Sequence, residues 1–243
     1  MTKWATTPFF LRGHSIKTMN QDEIFLQSEG DRWLARNKAA ISNPEYSVHD
    51  HVIQMMTMMN LAPRYVLEIG ASNGWRLNEI ARRFGSRVTA VEPSSDAIKD
   101  GEAQFPSVQF LRGAASELPL DAQARFDLVI MNYVFHWIDR STLLRSVAEI
   151  DRVLPDGGFV LIGDFYPSLP QRVRYHHLPD QDVWTYKQNY GDIFTATNLY
   201  EVIASYSLDH ATRALRSDAD SNDRAQVTLL RKSLNGRYQN ASL

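Results

Sequence analysis

Three sets of residues in this sequence are of types that do chemistry. The first is the run Val66-Leu67-Glu68-Ile69-Gly70-Ala71-Ser72-Asn73-Gly74, together with Glu92. A buried strand that stops at glycines and passes straight into a helix leaves free backbone N–H groups above its end. Gly70 and Gly74 let a ligand come close to the main chain, with Ala71 and Ser72 between them. Glu92 ends the next apolar run, where a carboxylate is placed to accept both hydroxyls of a ribose. The second set is histidines, natural general bases near neutral pH. His136 lies just past a fourth apolar run and His176-His177 lies in a later stretch, while Asp164 closes the fifth run, where it can steady a histidine or bind a hydroxyl. Adjacent side chains of an extended segment face opposite ways, so only one of His176 and His177 is expected to face a site. His14, His49, His51 and His210 read as surface or packing residues. The third set, Trp137, Tyr166, Tyr186, Lys187 and Tyr190, either walls an acceptor pocket or packs a lid.

The elements that must position these groups follow from periodicity. Gln21 to Ala40 and Pro44 to Asn60 read as helices, the second with a methionine-rich core stripe. Strands are expected at Tyr65–Ile69, Val88–Val91, Val108–Leu111, Phe126–Met131 and Phe159–Ile162. Helices are expected between them at Trp75–Phe84, from Ser94 or Ser95 to Ala103, and at Ser141–Leu154. Such alternation over short links argues for an open parallel sheet covered on both faces. After Asp164 the regularity lapses into a Pro-, His-, Tyr- and Arg-rich stretch, and a loop of that length in a compact domain is usually functional. Thr195–Tyr206 is expected as a helix, with Ala211–Arg216 and Ala225–Lys232 as an antiparallel pair around the turn at 218–223.

The 243 residues, 44% hydrophobic and 22% charged, suffice for one sizeable core with a cap. A net charge of −2 supplies no global basic field, so no nucleic-acid partner is expected. With no cysteine, the chain lacks disulfides and thiolate sites and suits a reducing cytoplasm. No apolar run approaches the roughly 20 residues of a membrane span, and Met1–Arg12 lacks the pattern of a signal peptide. His176-His177 is not a zinc spacing and has no accompanying carboxylate cluster, so no metal is expected.

A ribose-binding carboxylate alone suits NAD, a flavin's adenosine or S-adenosylmethionine. Two details favour the last. The glycine spacing is Gly70-x-x-x-Gly74 followed by Trp75, with Ser72 where a dinucleotide fingerprint has its middle glycine. Glu68 before the turn would repel a pyrophosphate and suits a ligand with a positive amino group or sulfonium. The segments 68–74, Glu92, Phe126-Asp127-Leu128-Val129 and Leu154-Pro155-Asp156-Gly157-Gly158, in that order, resemble the class I S-adenosylmethionine-dependent methyltransferases over roughly 60 to 165. Asn132-Tyr133-Val134-Phe135-His136-Trp137 resembles the small-molecule branch. More loosely, Trp33…Arg36-Asn37 and Tyr175-His176-His177…Trp184-Thr185-Tyr186-Lys187 are similar to bacterial methyltransferases of sugar and surface-polysaccharide biosynthesis.

The resemblance implies a Rossmann-like methyltransferase fold: a mostly parallel seven-stranded sheet with an antiparallel C-terminal edge. Cap and lid helices over 1–60 would precede a methyltransferase domain over 61–243 that carries a substrate-covering insert at about 165–194. It implies S-adenosyl-L-methionine as cofactor. The loop from Gly70 to Gly74 would pack against it, Glu92 would take the ribose, Ala114 and Ala115 would flank the adenine, and Asn132 would lie beside the amino acid end. Arg36 and Asn37 are the candidates for its carboxylate. The expected activity is methyl transfer to a small polar acceptor, with a sugar or nucleotide-sugar hydroxyl or amine preferred. The rivals are an NAD(P)-dependent oxidoreductase and a non-catalytic S-adenosylmethionine-binding protein.

Overall fold

The structure, a computed structural model, describes residues 19–42, 50–216, 218–235 and 238. Strands β1 (Tyr65–Ile69), β2 (Arg87–Glu92), β3 (Val108–Arg112), β4 (Leu128–Asn132) and β5 (Phe159–Phe165) pair in parallel in the order β3-β2-β1-β4-β5. Their side chains alternate between two cores. Leu67, Ile69, Val129, Met131, Val160 and Ile162 face one side; Val66, Leu128, Ile130 and Leu161 face the other. Helix α3 (His51–Met58) and α4 (Trp75–Phe84) cover the second side through Val52, Ile53, Met55, Met56, Leu77 and Ile80. Helix α6 (Leu143–Val153) covers the first through Ile150 and Val153. Burial on both faces is why these strands are apolar nearly throughout.

The N-terminal helix lies across the carboxyl ends of the strands. It starts as α1 (Gln21–Ile24), widens into a π-helical turn (Phe25–Glu29) and continues as α2 (Gly30–Ile41). Asn20 and Glu23 form a reciprocal capping box at its start. Asp22 accepts hydrogen bonds from Ser116 Oγ (2.7 Å), Thr142 Oγ1 (2.7 Å) and the Asp139 N–H (3.1 Å). Asp31 accepts from Ser94 Oγ (2.7 Å) and the Asp96 N–H (3.1 Å), which docks α2 on the start of α5 (Ser95–Gln104). The strand ends and the loops beyond them are thereby held by one element.

After β5 the chain forms a hairpin, β6 (Gln171–Arg174) and β7 (Trp184–Lys187), then α7 (Gly191–Thr195). It returns as β8 (Tyr200–Asp209) and β9 (Arg224–Lys232), antiparallel strands that complete the seven-stranded sheet. The edge differs from the expectation in two places. The helix expected at Thr195–Tyr206 is absent: α7 ends at Thr195 and β8 begins at Tyr200. Tyr200, Val202, Ala204, Tyr206 and Leu208 alternate with a period of two, and the β-branched pair Val202-Ile203 favours strand. Ala211–Arg216 is not a strand, because Asp209 accepts from the Thr212 N–H and Oγ1 and turns the chain. The partner of β9 is instead β8. Of the helix expected over 44–60, residues 44–49 lie outside the described residues, as do His14 and His49; Asp50 caps the remainder.

Gln21 joins three parts of the molecule. Its buried amide donates to the Trp137 and Trp184 carbonyls (2.9 and 3.0 Å) and accepts from the Trp184 N–H (2.8 Å). Gln21→Ala strands these groups, so a loss of roughly 1–3 kcal/mol in urea unfolding is expected. Faster proteolysis of the 165–194 segment should accompany it.

Candidate active site

A cleft opens at the carboxyl ends of β1 and β4, where the strand order departs in opposite directions. Its floor is the turn after β1. Gly70 (φ +72°) is left-handed, and a Cβ there would collide with Val134. Ser72 (φ 52°) and Tyr133 (φ 55°) are also left-handed and face the cleft from its two sides. Strain of this kind in non-glycine residues concentrates at functional sites. Ser72 Oγ is buried without a hydrogen-bond partner among the described residues, and so is Asn73 Oδ1.

Glu92 closes one wall. Its Oε2 accepts from the Ser72 N–H (2.8 Å) and its Oε1 from the Ser94 N–H (2.9 Å). Each oxygen keeps acceptor capacity for a further donor. Burial pushes this carboxyl up to about 7 against the pull of those two hydrogen bonds. Ala71, Gly113, Ala114, Ala115 and Asn132 also border the cleft, and Gly163 leaves room for the Asn132 amide.

Other residues singled out in the sequence lie elsewhere. Glu68 does not border the cleft: it alternates onto the face covered by α4, where it is fully buried and ion-paired with Arg76. Burial raises its pKa despite that partner. Arg76 also binds Asp50 (3.0 Å) and itself borders the cleft, so the charge presented there is a guanidinium rather than a carboxylate. Arg36 pairs with buried Glu29 and donates to Tyr175 Oη (2.7 Å), and Asn37 bonds back to the Trp33 carbonyl (2.8 Å). From that helix the cleft is bordered by Asp22, Phe25, Gly30, Trp33 and Ile41 instead.

His136 sits in the 3₁₀ turn after β4, and its Nδ1 meets Asp164 Oδ1 at 2.8 Å. A carboxylate only accepts, so Nδ1 carries a proton, and in the neutral ring the lone pair lies on Nε2. Asp164 also accepts from the Phe165 N–H (2.8 Å) and, more distantly, from the His136 N–H (3.3 Å). Both residues are buried, and Trp137 beside them borders the cleft. His176 and His177 are exposed, their rings tilted against each other with centres 3.9 Å apart, outside the cleft. The turn closed by Leu178 N–H to the Tyr175 carbonyl sends Tyr175 and Leu178 inward and the two histidines outward.

Tyr190 is a core residue stacked on Phe135 at 5.0 Å. Tyr186 lies under the Arg140 guanidinium (4.3 Å). Tyr166 borders a separate groove with Gln188, Asn189 and Arg224. Lys187 Nζ lies 4.2 Å from the centre of the Phe165 ring. Sequence reasoning missed Arg76, Trp75 and Tyr133 at the cleft. For Trp75 and Arg76 a signal existed, since the first turn of the helix after a glycine turn faces the ligand. For Tyr133 the signal was its place between Asn132 and His136 in the segment after the fourth strand, although nothing there marks a left-handed residue.

Comparisons with known proteins bear on the fold that carries this cleft. Residues 66–158 match a family described as a methyltransferase domain. The chain is 34% identical over 101 residues to an uncharacterized methyltransferase of Mycobacterium tuberculosis, covering 42% of this chain and 40% of the relative. It is 30% identical over 115 residues to the phthiotriol/phenolphthiotriol dimycocerosates methyltransferase of Mycobacterium leprae, covering 46% and 42%. The matched segments thus span less than half the length of these relatives. Among solved structures, 1,6-didemethyltoxoflavin-N1-methyltransferase of Burkholderia thailandensis, with its namesake ligand and S-adenosylhomocysteine bound, is similar at a TM-score of 0.65 and 16% identity, covering 87% of this chain and 90% of that one. The N-methyltransferase NodS of Bradyrhizobium japonicum, in complex with S-adenosylhomocysteine, is similar at 0.58 and 14%, covering 88% and 99%. The fold is the Rossmann-like methyltransferase fold.

Glu92 makes the ligand-free protein pH-sensitive. Its folded pKa of about 7 lies above the ordinary 4.5, so its contribution to stability is fully present below 4.5 and is lost as pH rises through about 7. Thermal melts from pH 5 to pH 8 should show a falling midpoint, and Glu92→Gln should flatten that fall. An identical slope in the variant would rule out this assignment.

Proposed function

We propose that the chain is an S-adenosyl-L-methionine-dependent methyltransferase acting on a small acceptor through a hydroxyl or amine. The observation that carries this is Glu92, a buried carboxylate held at the mouth of the cleft by the N–H groups of Ser72 and Ser94. The residues fit the cofactor: the Ser72 hydroxyl lacks a partner, the Gly70 turn has no room for a side chain, and the donor set suits a ribose. In this reading Glu92 takes the ribose hydroxyls, the backbone at Gly113–Ala115 flanks the adenine, Asn132 takes the amino end, and Arg76 brings positive charge for the carboxylate. Bound there, S-adenosyl-L-methionine supplies a methyl group on a sulfonium. Trp33, Trp75 and Trp137 keep water from the cleft, and His136 Nε2 receives the acceptor's proton while Asp164 holds the ring.

The helices before residue 60 act as cap and lid, and the segment at about 165–194 covers the acceptor. A cytoplasmic setting accords with the lack of cysteine. The preference for a sugar or nucleotide-sugar acceptor rests on the resemblance carried by Trp33…Arg36-Asn37 and Tyr175-His176-His177…Trp184-Thr185-Tyr186-Lys187. Of these residues Trp33 borders the cleft, while Arg36 and Asn37 pair within the cap and His176 and His177 face outward.

Calorimetry with S-adenosylhomocysteine and, separately, NAD tests the cofactor. Glu92→Ala should weaken S-adenosylhomocysteine binding by roughly 1.5–3 kcal/mol, and binding near pH 6.5 should release a proton, detectable as a dependence on buffer ionisation enthalpy. NAD binding in place of S-adenosylhomocysteine would make the protein an oxidoreductase instead. His136→Ala should lower turnover about 10²–10⁴-fold with cofactor affinity intact; a loss of affinity alone would make its role structural.

A further inference from the structure

Three charged side chains border the cleft among the described residues: Glu92, Arg76 and Asp22. The first two have parts in the reading above, and Asp22 has none. It comes from the cap rather than from a loop after a strand, and it lies on α1 one turn before Phe25. Both residues border the cleft, so this end of the helix offers it a carboxylate and an aromatic ring. Phe25 in turn meets Trp137 with ring centres 5.3 Å apart.

Three donors fix the Asp22 carboxylate. The Ser116 and Thr142 hydroxyls both bond to Oδ2 at 2.7 Å, and the Asp139 N–H bonds to Oδ1 at 3.1 Å. These donors come from the loop after β3 and from the segment after β4, so the carboxylate lies where the two approach each other. A carboxylate oxygen has about two acceptor positions, so Oδ2 is filled and Oδ1 keeps one. An acceptor held in one orientation separates ligands that offer it a donor from ligands that offer it another acceptor.

The loop after β3 lacks such an acceptor of its own. Ala114 and Ala115 border the cleft with methyl groups, and the Ala114 carbonyl already accepts from the Glu117 N–H (3.2 Å). Ser116, next in the chain, gives its hydroxyl proton to Asp22. In the reading above this loop flanks the adenine, whose exocyclic amine is a donor. The carboxylate bonded to that loop is the one supplied across the crevice by the cap.

We propose that Asp22 selects the nucleobase: its Oδ1 accepts from the exocyclic amine of adenine, with the Phe25 ring beside the base. A purine with a keto oxygen in that position turns an acceptor toward the carboxylate and is rejected. The cap thus reads the base as well as covering the cleft. This assignment rests on the S-adenosyl-L-methionine reading.

The test is calorimetry on the full chain with S-adenosylhomocysteine and with S-inosylhomocysteine, which carries a keto oxygen in place of the amine. The wild-type protein should bind S-adenosylhomocysteine about tenfold to hundredfold tighter. Asp22→Ala should cut that preference at least about fivefold, by weakening S-adenosylhomocysteine while S-inosylhomocysteine binds as well as before or better. Asp22→Asn, which keeps the shape and loses the charge, should fall between. Ser116→Ala removes one anchor of the carboxylate and should keep the preference. Equal wild-type binding of the two ligands overturns the proposal, and so does a preference unchanged in the Asp22 variants. Equal weakening of both ligands in those variants also overturns it, because a loosened cap alone would do that. A loss in Ser116→Ala as large as in Asp22→Ala has the same force. If S-adenosylhomocysteine does not bind the wild-type protein at all, the cofactor reading fails; if it binds without discrimination, only the role of Asp22 fails.

Discussion

A single buried carboxylate ties the turn after β1 to the end of β2 along one wall of the cleft. Glu92 ends β2, yet it bonds to the Ser72 N–H in the turn after β1 and to the Ser94 N–H at the cap of α5. The turn after β1 leaves N–H groups that need acceptors, and Glu92 supplies one without an external ligand. Two loops are thus held in register before anything binds. The cost is a desolvated acid whose pKa is driven to about 7, a state that hydroxyl donors relieve. The strain at Ser72 persists because Glu92 fixes one side of the turn and the buried Arg76–Glu68–Asp50 network lies beneath it.

The second constraint comes from the N-terminal helix. Gln21, Asp22 and Asp31 bond to loops after β4, β3 and β2, so the helix spans the crevice rather than flanking it. Glu29 extends the same logic to the insert by accepting from Tyr175 Oη (2.7 Å) and pairing with Arg36. Cap, sheet and insert therefore share polar contacts around one opening. The aromatic side chains that border it, Phe25, Trp33, Trp75, Tyr133 and Trp137, come from the cap and from the segments that follow β1 and β4.

The parallel sheet was legible because each strand is a local apolar run bounded by turn residues. The cradle was legible for the same reason: Gly70, Ser72 and Glu92 border the cleft at positions set by the strand ends, whereas Gly74 does not border it and leaves room for the Phe110 ring. Glu68 was misread because it is adjacent to the cradle in sequence but, by strand alternation, faces away in space. Arg36, Asn37, His176 and His177 were misread because their residue types suggested chemistry, while their orientation depends on a helix phase and a turn that spacing does not reveal. The C-terminal edge failed where Asp209 redirects the chain, a side chain–backbone effect that outweighs the apparent strand pattern.

The π-helical turn at Phe25–Glu29 has its own consequence. The Gly30 N–H bonds to the Phe25 carbonyl, five residues back, so this turn holds one residue more than regular helical winding requires. The helix accordingly changes phase midway: upstream it aims Phe25 at the cleft, downstream it aims Trp33 there, and Glu29 lies between them facing the insert. A chain shortened by one residue here could keep its helix, its composition and its hydrophobic periodicity, yet rotate one half against the other by about 100°. Aromatic wall and insert contact would then fall out of step. Among relatives of this fold, the length of that one turn is therefore a geometric marker of whether cap and insert address the same opening.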